Sequence, residues 1–217
     1  MSKPLVSVIV PIKNNVHIHR LKKDLSVQTF KNFELIVMDS DESVSVKRNK
    51  GVKKAKGELI VFVDDDVIIP KKWLEQLVKN AKIEIPTVGV VTNTWKFGKQ
   101  EHATTCNCIF YKSKFKYFNE TFKYAAYEDK DWFYRMGGVD VISSAPLYHF
   151  DQHKNSIKKN FIFGMESVKL DKMWENKTDH RALISIVNDV RVCIGSIFQI
   201  LGVFFGVIKY KIFRWGL

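Results

Sequence analysis

The sequence predicts an α/β fold, a mostly parallel sheet flanked by helices, followed by a C-terminal helical segment of different character. Three observations carry this. Short runs rich in β-branched residues, at 5–11, 33–39, 58–66 and 87–93, alternate with polar stretches of helical length, the pattern of βαβ units. Two of these runs end in aspartates and a third in proline, as expected where strands deliver side chains to a ligand-binding edge. The last third has no strand pattern and contains a long uncharged run. With 217 residues, 46% hydrophobic and 13% aromatic, the chain is not disordered and can build one cored domain plus an appendage.

LVSVIVP (5–11) is continuously apolar, as a strand buried on both faces must be, and stops at Pro11. MSKPLVSVIVP has no apolar stretch ahead of a cleavage site and leads directly into this strand. Leu21, Leu25 and Gln28 then recur at helical spacing. FELIVMD (33–39) is the second strand and ends in Asp39; SVKRNKGVKKAKG reads as a helix closed by a glycine cap at Gly57. ELIVFVDDD (58–66) is the third strand, Pro70 opens a helix over KKWLEQLVKNAK, and TVGVVTN (87–93) is a further strand. The strands and helices of residues 1–152 make one domain; residues 153–217 form a helical, basic and apolar region.

The formal net charge of +12 suits a polyanionic partner: a nucleic acid, a phosphorylated small molecule or an anionic membrane. Cys106, Cys108 and Cys193 form neither an even disulfide set nor a CxxC pair, which points to a reducing compartment. TCNC with His102 falls short of the four well-placed ligands zinc requires, so Cys106 and Cys108 read as small buried side chains. Residues 192–208 carry no charge over roughly 17 positions, near the lower limit for a span, which needs about 20. Arg191 precedes the run, and Lys209, Lys211, Arg214, Tyr210 and Trp215 follow it, an interfacial anchoring pattern. Association with the membrane, by a span, a hairpin or an in-plane helix, is one expectation; burial in a subunit interface is the other.

The chemistry concentrates in VFVDDDVIIP (61–70). Two ionised carboxylates about 5 Å apart repel by roughly 3 kcal/mol at an effective dielectric near 20, so Asp64, Asp65 and Asp66 need a positive partner. Hard carboxylates suit Mg²⁺ or Mn²⁺, which keep waters and bridge to substrate phosphates. A second cluster, YEDKDWFYR (127–135), places Glu128, Asp129 and Asp131 within one turn at a helix N-terminus. Trp132, Phe133 and Tyr134 behind it read as core and groove residues.

VSVIVPIKNN, QTFKNFELIVMDSDES, KRNKGVKKAKGELIVFVDDD and YEDKDWFYRM occur in an order that resembles the family 2 glycosyltransferases of the GT-A fold, over about residues 4–150. The resemblance implies a GT-A type, Rossmann-like sheet, an inverting reaction and a nucleotide-sugar donor, UDP- or GDP-linked. It implies that Pro11 and the loop after it, with Asp39, line the base and ribose, and that Arg48 lies near the base or phosphates. Asp64 and Asp66 match the ends of the DxD motif, Asp66 as metal ligand and Asp64 nearer the ribose, with Asp65 between them. Asp129 matches the catalytic carboxylate of the ED motif, with Glu128 beside it, and His149 in LYHF resembles a histidine used near the metal or diphosphate. The short segment after LYHF leaves little room for an acceptor domain. It fits a polyprenyl-linked sugar or cell-surface glycan acceptor met at the cytoplasmic face of the cell membrane.

Each role has a plainer alternative. Asp39 and Asp41 can close a turn, Arg48 can be an exposed helix cation among lysines, Glu128 or Asp131 can replace Asp129, and His149 can be a partly buried structural histidine. Whole-protein alternatives are a non-catalytic membrane scaffold of the same fold, a basic nucleic-acid-binding module and a nucleotidyltransferase. The nucleic-acid reading leaves both acidic clusters unused, and no nucleic-acid signature is present, so nucleic acid is not an expected partner.

Overall fold

The computed structural model describes residues 3–12, 17–93, 99–100, 104–122 and 127–149, with short stretches at 161–162, 165–166, 169–170 and 173–174. The chain divides into two units, residues 1–123 with 128–151 and residues 124–127 with 152–217. In the second unit Lys169 pairs with Glu166 at 3.4 Å and Leu170 is buried. The 192–208 run and Cys193 lie outside the described residues. Among those described, no helix is long and apolar enough to cross a membrane.

The first unit is built on β1 (Val6–Ile12), α1 (Ile18–Ser26), β2 (Phe33–Asp39), α2 (Val44–Lys54), β3 (Leu59–Val63), β4 (Val67–Ile68), α3 (Trp73–Asn80), β5 (Thr87–Asn93), β6 (Lys99–Gln100), β7 (Asn107–Tyr111), α4 (Glu128–Arg135) and β8 (Asp140–His149). The sheet order is β2-β1-β3-β7-β5-β8-β4, with β6 on β5. β1 pairs in parallel with β2 and β3, and β5 with β8. The β3–β7, β5–β7, β5–β6 and β4–β8 pairs are antiparallel. The sheet is therefore mixed, which corrects the mostly parallel expectation. A strand buried on both faces reads the same in either direction, so alternation of elements constrained only the N-terminal half.

Strand periodicity sorts the core into two layers. Val6, Val8, Val10, Val61 and Val63 face Leu21 and Leu25 of α1 and Trp73, Leu74 and Leu77 of α3. Ile9, Ile60 and Phe62 face the opposite layer, with Val52 of α2 and Trp132, Phe133 and Met136 at α4. There Phe118 stacks on Trp132 at 4.9 Å between ring centroids. Trp132 and Phe133 are buried, whereas Tyr134 is exposed. Cys106 and Cys108 are buried free thiols whose pKa burial raises.

Four local expectations change. β1 runs through Pro11 to Ile12, and Pro11 is buried within the strand rather than ending it. Gly57 is not a helix cap: α2 ends at Lys54, and Gly57 lets the chain cross β1, where an added Cβ would lie 2.7 Å from the Ser7 nitrogen. Pro70 sits ahead of the α3 cap residue Lys72, and its carbonyl accepts from the Trp73 N–H. Gln28 lies past the end of α1 and is buried, donating to Pro70 O and accepting from the Leu74 N–H.

Candidate functional site

The parallel β2-β1-β3 triplet sends three C-termini to one edge. Ile12 is the register partner of Asp39, and Val63 leads directly into Asp64–Asp66. Asp39 is exposed at that edge. With β1 between them, β2 and β3 stand on the order of 10 Å apart, so Asp39 shares the edge with the triplet without joining it.

His149 arrives by a different route. After the triplet the chain forms β4, which pairs antiparallel with the end of β8, and the register sets Val67 opposite His149. This brings the imidazole Nε2 to 3.3 Å from Asp66 Oδ1. One ligand atom each from Asp64, Asp66 and His149 lie within 4.8 Å of one another, all half-buried, a set that can hold a metal ion. Two carboxylates and an imidazole form a donor set suited to a borderline-hard divalent ion. Asp65 is not in the set; burial, then the Asp66 charge, raises it to about 6.

Asp64 finds a positive partner in Arg48. The apolar side chains of α2 are too few to make a core face, and its buried residues include Ser45, Lys47, Arg48 and Asn49. Gly51 permits this close seat, since a Cβ there would lie 2.5 Å from Ile9 Cγ2. Lys47 Nζ donates to Ile12 O at 2.6 Å. Asn49 donates to Phe118 O and Glu120 Oε1 and accepts from the Phe118 N–H. Arg48 is 3% exposed and lies over the rings of Phe62 and Phe118. Its Nη2 is 3.4 Å from Asp64 Oδ1 and its Nη1 is 3.2 Å from Glu128 Oε1. Burial opposes its charge, but Asp64, Glu128 and Asp129 outweigh that and raise its pKa. Arg48 is thus no exposed helix cation. The polar seats of Lys47 and Asn49 escaped sequence reasoning, although a helix with so little apolar face was the available signal.

The three acids of α4 separate by partner. Asp131 is buried and paired with Arg135 at 2.6 Å, one helical turn on. Arg135 also donates to Tyr117 O. Glu128 is buried against Arg48. Asp129 is half-buried, accepts from the Lys130 N–H and makes no ion pair among the described residues. Burial raises the pKa of both: Glu128 reaches about 7, with the Asp129 charge adding to the shift and Arg48 opposing it, and Asp129 is raised with Arg48 again opposing. Tyr127 enters the helix at φ 65°, a left-handed conformation uncommon for a residue with a side chain.

The mixed α/β sheet thus carries an Asp–Asp–His cluster beyond its parallel strands, a metal-capable site joined by one arginine to a second acidic pair. Residues 42–144 match the family model described as Glycosyl transferase family 2. No curated protein matches the sequence significantly. Among solved structures, S. aureus TarS 1-349 in complex with UDP-GlcNAc aligns with a TM-score of 0.55 and 16% identity, over 82% of this chain and 68% of that one. The same fragment in complex with UDP gives 0.54 and 18%, over 74% and 64%. A further S. aureus TarS structure gives 0.52 and 17%, over 74% of this chain and 39% of its own length. The chain therefore spans between 39% and 68% of the structures it resembles.

Proposed function

We propose that the protein is an inverting, metal-assisted glycosyltransferase that moves a sugar from a nucleoside-diphosphate-sugar to an acceptor hydroxyl. The observation that carries this is the convergence of Asp64, Asp66 and His149 within 4.8 Å, with Arg48 linking Asp64 to the helix that bears Asp129. The family-model match over 42–144 supports the reaction class. Since TarS structures hold UDP and UDP-GlcNAc, uridine is favoured over guanosine as the donor base.

Asp64, Asp66 and His149 would hold Mn²⁺ or Mg²⁺. Such an ion, when bound, neutralises the charge that develops on a departing diphosphate. Asp39 and the end of β1 would contact base and ribose. Asp129 would accept the proton of the acceptor hydroxyl as that oxygen attacks the anomeric carbon. Of the three acids on α4, it is the one without an ion pair among the described residues, so its carboxylate is available to a substrate. Its raised pKa makes it a stronger base than an exposed aspartate. One displacement from the face opposite the leaving group inverts the configuration without a covalent intermediate.

We assign residues 1–152 to the catalytic domain and 153–217 to a membrane-associating region that concentrates the enzyme on a lipid-linked or cell-surface glycan acceptor at the cytoplasmic face. Thermal-shift binding of UDP, GDP and their sugars, with and without Mn²⁺, tests the donor. Metal-dependent stabilisation by one nucleotide, lost in Asp66→Ala, is expected; no stabilisation by any of them would overturn the reading. Loss of transfer to a lipid-linked acceptor on deleting 192–217, with a soluble acceptor unaffected, is expected of the membrane region.

A further inference from the structure

Arg48 has a place in this site beyond neutralising charge. It is 3% exposed, and its two terminal nitrogens reach carboxylates from separate elements, Asp64 after β3 at 3.4 Å and Glu128 at the start of α4 at 3.2 Å. Both contacts are longer than the 2.7–2.9 Å of a strong charge-assisted pair, so one cation is shared between two anions. The Phe62 and Phe118 rings, 5.8 and 5.5 Å from the guanidinium carbon, hold the group in place and keep it from solvent. Its Nε is buried without a hydrogen-bond partner among the described residues, so the terminal nitrogens carry the polar contacts described.

Asp64 thus belongs to two sets at once: it pairs with Arg48, and it is one of the three groups that can hold a cation with Asp66 and His149. A dication at that cluster and the guanidinium compete for the same carboxylate and repel each other. Whatever weakens the hold of Arg48 on Asp64 strengthens its hold on Glu128, the residue next to Asp129.

We propose that Arg48 is a positioning residue that couples cation occupancy at Asp64, Asp66 and His149 to the acidic pair Glu128–Asp129. This rests on the metal site of the proposed function. In this arrangement the general base is held ionised most firmly when the donor end of the site is filled. Binding linkage is reciprocal, so a change at Glu128 must alter cation affinity at the cluster, though no residue of α4 is among its ligands.

The test is Mn²⁺ affinity of the full chain, measured without nucleotide by electron paramagnetic resonance of the free ion at about pH 8, where Glu128 is ionised in the wild type. Glu128→Gln leaves the charge of Arg48 to Asp64 and should weaken Mn²⁺ binding by about fivefold. Arg48→Met removes a cation competing for a ligand carboxylate and should tighten it by a similar factor. Arg48→Gln, which loses the charge but keeps a donor for Glu128, serves if Arg48→Met does not fold. A residue that merely held the site together would weaken binding in either variant, and two charges acting independently on the cation would give additive shifts, so the signature is opposite signs with the Glu128→Gln effect largely lost in the Arg48→Met background. Unchanged affinity, shifts of the same sign, or additive shifts in the double variant overturns the coupling and leaves the functional reading intact. Absence of Mn²⁺ binding to the wild type overturns both.

Discussion

Replacing Arg48 by methionine keeps a long side chain against the Phe62 and Phe118 rings while removing the charge that two carboxylates share. At these separations each attraction is about 5 kcal/mol at an effective dielectric near 20, but relaxation limits what is lost. Asp64, 29% exposed, turns to solvent; Glu128, 7% exposed, cannot. Removing one partner of a buried pair costs about 3–5 kcal/mol, so Arg48→Met should lose about 4 kcal/mol in mild alkali. The loss should be smaller in acid. Burial and the Asp129 charge raise Glu128 to about 7, and below that pH the wild type has already protonated much of the group Arg48 serves. Urea denaturation at about pH 8 and about pH 5.5 measures both values. The double variant Arg48→Met/Glu128→Gln should retain about 2 kcal/mol more than the summed single losses predict. A cost under about 1 kcal/mol at the higher pH, an equal cost at both, or additive single losses would refute a guanidinium shared between Asp64 and Glu128.

The raised value of Glu128 also has its own pH signature. The folded protein holds this proton more tightly than the unfolded chain, so the stability it contributes is complete below the ordinary value of 4.5 and is lost as pH rises to about 7. The slope amounts to about 3 kcal/mol across that window, and Glu128→Gln should flatten it in denaturant titrations at stepped pH. Asp129→Asn should lower turnover by at least about a hundredfold while leaving the melting temperature unchanged or higher, since burial disfavours the charge it removes; near-normal turnover would reject Asp129 as base. Asn107 accepts from the Trp73 indole N–H at 2.8 Å and donates to Ala145 O at 2.9 Å. Asn107→Leu strands both buried groups and should cost about 2–4 kcal/mol in urea midpoints. Gly89→Ala sets a Cβ 2.0 Å from Ala145 O and should be at least as damaging; a wild-type midpoint in either variant would refute the contacts.

Much of the N-terminal half was legible because a central strand must be apolar on both faces and a helix on one. β2 and β5 have the boundaries the sequence suggests, and β1 and β3 differ only at their ends. The acidic pattern likewise identified the edge where Asp39 and the Asp64–Asp66 triplet emerge. β7 was not legible: NCIFY resembled a cysteine stretch, and its antiparallel pairing with β3 is a long-range choice. The buried polar face of α2 was missed because KRN sits among lysines, whose sequence does not distinguish a cation facing water from one facing carboxylates across the sheet edge.

Sequence by itself determined which chemistry the chain can offer. An aspartate triplet at the end of an apolar run needs a cation, and a second acidic cluster at a helix start offers further carboxylates, because residue identity and local periodicity are properties of neighbouring positions. Tertiary structure decided which of those groups meet. The β4–β8 register carries His149 to Asp66, and the close packing of α2 on β1 carries Arg48 between Asp64 and Glu128. Both are encounters across tens of residues, set by strand pairing and by the need of each buried charge for a partner.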